Sequence, residues 1–255
     1  MKEAYKCALG LMLILTLAGG VSCGGGGSDD SISNTVTTVV GSGNIEQETR
    51  SVTGATGVDL RGVANLTIEQ GSPEELTLQT DDNLMDLILT DVQGGILVIR
   101  SDPGFSLQPS QRMEVHLKLI SFDTITLSGV GDITVADLTT PRLELTLSGV
   151  GGIEIINLDA QSLDVLISGI GDISADGQVD DQLITLTLGS IGDYSAEDLS
   201  SETVDVEIAS SGSATVQVNT MLNANITGSG SVFYHGSPVV TRTGDGTGNV
   251  LQISP

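Results

Sequence analysis

The chain has 255 residues, of which 39% are hydrophobic and only 2% are aromatic. This length suffices for one sizeable domain with flanking segments, and the core must be aliphatic. With 33 acidic and 9 basic residues the formal net charge is -24, which makes nucleic acid and anionic lipid headgroups poor partners. We expect the Asp and Glu side chains on outward strand positions, where their charge keeps the protein soluble and discourages pairing between sheet edges.

Residues 1–22 have the features of a secretory signal peptide. Two lysines precede an apolar run over residues 8–18, and small residues follow it. The run is too short for a spanning helix, which needs about 20 apolar residues. We therefore expect the chain to be exported and this segment to be removed.

Cys23 is predicted to become a lipidated N-terminal residue. The segment Val-Ser-Cys at 21–23 resembles a bacterial lipobox, although Gly20 stands where that motif usually has Leu. Cys23 is the one cysteine that remains after cleavage, so an internal disulfide is excluded and a lipid is expected. Because the next residue, Gly24, is not acidic, the resemblance to sorting signals of diderm bacteria implies a cell-envelope lipoprotein anchored in the outer membrane.

Residues 23–50 and 51–120 differ in pattern. The first segment starts with four glycines after the cysteine and continues as a polar stretch rich in Ser and Thr, which predicts a flexible tether. The second contains short strand patterns separated by turn clusters, with one helical turn expected over 81–86 and a loop over 103–110. We interpret residues 51–120 as N-terminal coils and a cap for the repeats that follow.

A short phrase recurs through the second half of the chain, first as Ser-Gly-Val-Gly-Asp at residues 128–132. The intervals between the second glycines of successive copies are 20, 20, 21, 20 and 18 residues. Such a period predicts a solenoid, in which each repeat buries its apolar face only when a neighbour stacks on it. Apolar and polar residues alternate on both sides of the glycines, as in strands with one buried face. We therefore predict, over residues 121–240, an all-β, single-stranded β-solenoid, a right-handed parallel β-helix with coils of about 20 residues.

The recurring glycines are predicted to form the corners of the coils, because tight turns often need a positive φ that penalises a Cβ. The Val or Ile between paired glycines, as in Val130 and Ile170, is expected to plug the corner from inside. The extra residue in the longer interval is expected near Leu183 as a bulge or a wider turn, which places Ile184, Leu186 and Leu188 inward. The predicted turn glycines are Gly129, Gly131, Gly149, Gly151, Gly169, Gly171, Gly192, Gly212 and Gly230.

Residues 241–255 follow the last clear repeat. Gly and Thr dominate residues 241–248, which predicts a loop. The apolar residues of 250–253 predict a closing strand or cap.

The order of patterns between residues 51 and 240 resembles a known bacterial family. The patterns are Gly57-Val-Asp-Leu60, Leu66-Thr-Ile68, the stretch 76–84 and Gly95-Ile-Leu-Val-Ile99, followed by the repeated Ser-Gly-x-Gly-Asp phrases. Together they are similar to the family called putative auto-transporter adhesin, head GIN domain. The resemblance implies an exported, often lipid-anchored envelope protein with a β-solenoid fold, and it implies no catalytic residues.

Asp132, Asp172 and Asp193 should stack into a partial anionic column that is interrupted at Gly152. Like charges repel unless they are splayed into solvent or bridged by a cation, so calcium is the cofactor to consider. The phrase differs from the calcium-binding β-roll motif, in which a residue separates Gly from Asp. We expect these carboxylates to accept backbone N–H bonds in the turns, with calcium ligation as the alternative and no other cofactor.

Two functions fit the sequence. The first is a non-enzymatic envelope lipoprotein, an adhesin or structural module whose acidic face binds a glycan or protein ligand. Its lipid holds it to the membrane, and a homo-oligomer is compatible with this function. The second is a carbohydrate-active β-helix that binds or cleaves polysaccharide with calcium assistance, with Asp132, Asp172 and Arg142 as candidate residues. His116 and His235 have no partners at metal-ligand spacing, so we expect surface or capping roles for them.

Overall fold

The computed structural model describes residues 36–187 and 189–253, which form a β-solenoid of stacked parallel coils. The predicted signal peptide and Cys23 lie outside these residues. Within the two ranges, no helix is long and apolar enough to cross a membrane. In chain order the elements are β1 (Thr37–Val40), β2 (Ile45–Arg50), β3 (Gly57–Leu60), β4 (Ala64–Gln70), β5 (Glu75–Asp81), α1 (Asp82–Met85), β6 (Ile88–Gln93), β7 (Ile96–Ser101), β8 (Phe105–Gln108), β9 (Met113–Leu119), β10 (Thr124–Leu127), β11 (Ile133–Leu147), β12 (Ile153–Ile167), β13 (Ile173–Leu186), β14 (Tyr194–Ile208), β15 (Ala214–Ile226), β16 (Val232–His235), β17 (Val239–Thr243) and β18 (Val250–Gln252).

The regular part of the solenoid is built from the long strands β11 to β15. Each pairs in parallel with the next, so equivalent residues stack at about 4.8 Å and form continuous columns. One inward column contains Leu145, Val165 and Val206, all at most 2% exposed. The predicted aliphatic core and period of about 20 residues are confirmed.

The N-terminal coils do not stack in chain order. The coil of β3 and β4 lies between the coil of β7 and β9 on one side and that of β10 and β11 on the other. Antiparallel pairs, β2 with β5, β5 with β9, and β6 with β7, complete this end. These strands form the predicted cap, which protects the first coil from edge-to-edge pairing.

The predicted tether is wrong for residues 37–50, which form two strands. β1 pairs with β8 in a separate two-stranded sheet, so the predicted loop over 103–110 also contains a strand. β2 pairs with β5 along its full length. The polar composition concealed β-branched residues that favour strands, and their neighbours in the cap supply the missing pairing.

The coil of β13 differs from the predicted alignment. Val165 lies opposite Ile184, a separation of 19 residues, whereas Ile170 lies opposite Ile191, a separation of 21. The added residues therefore lie in the turn after β13 rather than near Leu183, and a compensating residue is lost earlier, where the register shifts after Ile155.

This register places a buried polar group in the aliphatic core. Gln182 lies opposite Leu163 and is 2% exposed. Tyr194 Oη donates a hydrogen bond of 2.7 Å to Gln182 Oε1, and Gln182 Nε2 donates to Ser201 Oγ. Burial raises the pKa of Tyr194, which therefore remains a neutral donor.

The C-terminal end is more regular than predicted. The strand β17 covers Val239–Thr243, so the first residues of the predicted loop over 241–248 are paired with β15. The predicted closing strand is present as β18, which pairs with β16.

Candidate functional site: a polar groove along the coils

The corner glycines are required by the close approach of successive coils. A Cβ on Gly151 would lie 1.7 Å from the carbonyl oxygen of Gly131, and a Cβ on Gly171 would lie 1.8 Å from that of Gly151. These three glycines also have the expected positive φ, between 130° and 145°. At six other corner glycines a Cβ would also collide with a carbonyl oxygen of the neighbouring coil, although φ at these glycines is not left-handed. They are Gly129, Gly149, Gly169, Gly192, Gly212 and Gly230.

The aspartates after the corners connect one coil to the next. Asp132 Oδ1 accepts a hydrogen bond of 3.0 Å from the N–H of Gly152. Asp172 Oδ1 accepts one of 2.8 Å from Asp193, and Asp193 Oδ1 accepts one of 2.6 Å from Ser213. The carboxylates thus accept backbone N–H bonds, but from the following coil rather than their own turn. In the part of the chain that the structure describes, no three His, Cys, Asp or Glu side chains are grouped to hold a metal; calcium binding stays a prediction.

The prediction that Val or Ile plugs the corners from inside is wrong. Parallel bridges connect these residues, and their side chains are 44–62% exposed. The flanking glycines bring the backbone against the preceding coil, so the side chain between them points outward. We call this row the apolar ladder: Val63, Val130, Val150, Ile170 and Ile191.

A groove of about 460 Å³ runs across five coils, from β11 to β15, at a different corner of the solenoid. Three carboxylates line it, from Asp159, Asp180 and Glu202, together with amides and hydroxyls. Among the described residues that form its walls there is no Lys, Arg, His or aromatic residue. Its polar lining residues include Thr139, Asp159, Gln178, Asp180, Ser200, Glu202 and Asn219.

Hydrogen bonds hold the groove side chains in rows. Gln178 Nε2 donates to Asp159 Oδ1 at 3.2 Å, one coil apart. Thr220 Oγ1 donates to Glu202 Oε2 at 2.7 Å and Asn219 Nδ2 donates to Oε1 at 3.3 Å. These donors lower the pKa of Glu202, so it is ionised at neutral pH. The groove therefore offers hydrogen-bond acceptors to hydroxyl, amide or ammonium groups.

The residues singled out from the sequence do not form this groove. Asp132 pairs with Arg112 at 3.3 Å beside a glycine corner. Arg142 pairs with Asp164 on an outward strand face. A signal for the groove is present in the sequence, since a polar residue stands eight positions after the second glycine of three copies of the recurring phrase, at Thr139, Asp159 and Ser200. The register shift of β13 moves that column onto Gln178 and hides the pattern.

The two histidines lie outside the groove. His116 is exposed on β9, between Thr67 and Thr77 of the adjacent strands. His235 Nε2 lies 3.9 Å from Glu197 Oε2 near the C-terminal end. His116 has the surface position expected for it, whereas the His235 side chain is only 17% exposed, and a capping role for it stays a prediction.

Stacked parallel coils of about 20 residues define a β-solenoid protein. The family model for putative auto-transporter adhesin, head GIN domain, matches residues 55–238, and the chain belongs to this family. A comparison with curated proteins gave no match.

Solved structures of three bacterial proteins share the fold. A putative adhesin of Bacteroides fragilis is 24% identical, with a TM-score of 0.79, over 84% of this chain and 100% of that one. A protein of Parabacteroides distasonis described as a putative lipid binding protein is 21% identical, with a TM-score of 0.70, over 86% and 100%. A putative adhesin of Parabacteroides merdae is 18% identical, with a TM-score of 0.67, over 86% and 100%.

Proposed function

We propose that the chain is a non-enzymatic cell-envelope lipoprotein that binds a surface ligand, a glycan or a protein, along the polar groove. The observation that carries this proposal is the lining of the groove, where carboxylates, amides and hydroxyls recur from coil to coil. An extended glycan repeats its hydroxyl groups at a spacing close to that of the coils, so one row of acceptors can meet each unit. The description of the family as adhesins supports a binding role at the cell surface.

The chemistry of the groove favours binding over cleavage. Glycoside hydrolysis needs a carboxylic acid that keeps its proton near neutral pH, whereas hydrogen bonds lower the pKa of Glu202. Cleavage by a β-helical lyase needs a Lys or Arg side chain as the base, and the described lining residues include neither. We therefore give binding of a polysaccharide precedence over its cleavage within the carbohydrate-active alternative.

The charge of the groove restricts its ligand. Three carboxylates on a chain of net charge -24 repel anionic polymers. The ligand is therefore a neutral or amino-bearing glycan, or a protein surface rich in Lys and Arg. In this proposal lipidated Cys23 holds the solenoid to the outer membrane after export.

Binding by the soluble protein tests the groove. A chain that begins at Gly24 lacks the lipid but keeps β1 and β2, and it is applied to glycan arrays and to whole cells. Asp180→Arg places a bulky cation in the groove and should weaken binding about tenfold or more, a change of about 1.4 kcal/mol. Asp181→Arg makes the same charge change at the next residue, which is exposed but does not line the groove.

Asp181→Arg should bind as the unsubstituted protein does. Equal losses in both variants would show that net charge, and not the groove, governs binding. Absence of binding to every glycan and cell by the unsubstituted protein would contradict the proposed function.

A further inference from the structure

An apolar cavity of about 240 Å³ lies at the boundary between the cap and the first coil. Its walls come from the corner before β4, from α1 and β6, and from β8. The principal lining side chains are those of Val63, Leu84, Ile88, Phe105, Leu107 and Met113.

The cavity exists because the first corner has no corner beneath it. At Gly129 the backbone oxygen of Gly62 occupies the place of a Cβ, at 2.1 Å. At Gly62 itself the nearest atoms to a Cβ, from Arg100, Ile99 and Met113, are 3.9–4.0 Å away. The strands of the cap replace the missing corner only in part, and β8 forms the outer wall of the remaining space.

The lining of this cavity excludes the charge that dominates the rest of the chain. Its described lining residues include no Asp, Glu, Lys, Arg or His, and its polar groups are the hydroxyls of Thr80, Ser101 and Ser106. Pockets for drug-sized ligands have volumes of roughly 300–1,000 Å³, so this smaller space fits a slender apolar group.

The cavity opens onto the apolar ladder. Val63 is both a lining residue and the first member of the ladder, and it is 51% exposed. The ladder continues for four coil spacings, about 19 Å, to Ile191. An apolar space that continues as an exposed apolar row matches an extended aliphatic chain, with one end in the cavity and the rest along the ladder.

We propose that this cavity and the apolar ladder bind a single long-chain aliphatic group, such as the acyl chain of a lipid or of a free amphiphile. Burial of methylene groups supplies the affinity. Because the chain is strongly acidic, a neutral head group is preferred to an anionic one, and the difference decreases as salt screens the charge. This site is separate from the polar groove, so either proposal can fail alone.

A single introduced tryptophan can report on the cavity, since the chain contains none. Phe105→Trp places the reporter in the cavity wall, and Thr241→Trp places a matched reporter on the exposed strand β17. A long-chain alcohol brominated near mid-chain quenches tryptophan fluorescence on contact. We expect saturable quenching at position 105 and none at position 241.

Filling the cavity provides the decisive variant. In the Phe105→Trp chain, Gly62→Val adds a side chain where a Cβ meets nothing closer than 3.9 Å, so the thermal midpoint should not fall while quenching is lost. Gly71→Val is the matched control, because its Cβ also meets nothing closer than 3.7 Å and it does not line the cavity. Quenching in that variant should be unchanged.

Vesicles of neutral phosphatidylcholine distinguish the two sources of the chain. Co-sedimentation that Gly62→Val removes would assign the acyl chain of a bilayer lipid, and binding of the alcohol without co-sedimentation would assign a free amphiphile. No saturable quenching at position 105, or quenching that persists in a stable Gly62→Val protein, would overturn the proposal.

Discussion

The position after each corner glycine determines whether a side chain connects two coils. Asp132, Asp172 and Asp193 accept an N–H bond from the following coil, and Ser213 Oγ accepts one of 3.2 Å from Ser231 in the same way. Gly152 occupies this column without a side chain and so offers nothing to the following coil. Ser213 makes the same bond without a charge, so it reduces the repulsion between the stacked carboxylates of this column while keeping the connection between coils.

Gly152→Ser should therefore stabilise the solenoid. The Cβ would meet its nearest atoms, Asp132 Oδ1 and the carbonyl oxygen of Asp172, at 3.6 Å, which is ordinary contact. One added hydrogen bond and the loss of glycine freedom in the unfolded chain together predict a gain of about 1 kcal/mol in unfolding free energy. Urea unfolding measures it. Gly152→Ala isolates the backbone contribution, and an equal gain from alanine would show that no inter-coil bond forms.

At the residue scale the sequence predicts roles better than directions. The acceptor role of the Asp residues follows from their chemistry, and the glycines follow from their period. The outward direction of Val130 and Ile170 does not, because it depends on how closely the glycine backbone approaches the preceding coil. The apolar cavity depends on a missing corner, which no local pattern records.

Among the elements, β1 and β2 are held to the cap by the end of β5. The Asp81 carboxylate, 0% exposed, accepts bonds from Gly43 N–H at 2.7 Å and from Ser110 Oγ and N–H at 2.6 and 2.8 Å. Ser42, in the link between β1 and β2, donates hydrogen bonds from its hydroxyl to Asp82 Oδ1 and from its backbone N–H to Asn83 Oδ1. The segment between β1 and β2, and Ser110, two residues after β8, thus bind the same buried carboxylate.

Asp81→Asn should loosen β1 and β8 and change the response to acid. The bond from the Ser110 side chain, followed by the backbone N–H groups, lowers the pKa of Asp81 below its ordinary value of 3.8, while burial opposes this. A lowered pKa stabilises the fold above about pH 4, and this stability is lost as pH falls through the folded value. Urea unfolding at pH 7 and pH 3 should show a smaller difference for Asp81→Asn than for the native chain.

The exposed Asp123→Asn provides the comparison for that experiment, because it removes one carboxylate outside the link. Its pH dependence should match that of the native chain. Hydrogen exchange should show faster exchange in β1 for Asp81→Asn alone. Equal behaviour of the two variants would contradict a linking role for the buried carboxylate.

The elements that the sequence mispredicts share a physical cause. The interval that ends at Gly192 is only one residue longer than the usual 20. In the structure two residues are added in the turn after β13 and one is removed upstream, so the length of the interval hides both changes. Only the pairing with β12 fixes which residues face inward, and it selects Gln182. In the same way, the short polar strands β1 and β2 are defined by partners distant in sequence.

Across the whole molecule the charge is distributed unevenly along the axis. After Glu207 the side chains include one acidic residue, Asp245, and one basic residue, Arg242. The N-terminal end is covered by the antiparallel strands of the cap. The coils after Glu207 therefore carry little charge to repel a second solenoid, and we expect a side chain in this region to limit pairing.

We expect Arg242 to limit such pairing, so that its removal causes association. It continues the inward column of Val206 and Ala224, and its guanidinium donates to the carbonyl oxygens of Gly246 at 2.8 Å and Gly248 at 3.0 Å. A charge at an inward position blocks further stacking of coils. Arg242→Leu restores the aliphatic column, so sedimentation velocity should show association that increases with concentration. Two controls should sediment as the native chain does: Arg242→Gln keeps a polar side chain at this position, and Arg112→Leu removes one positive charge elsewhere. Association of all three variants would show that net charge, and not the inward arginine, controls association.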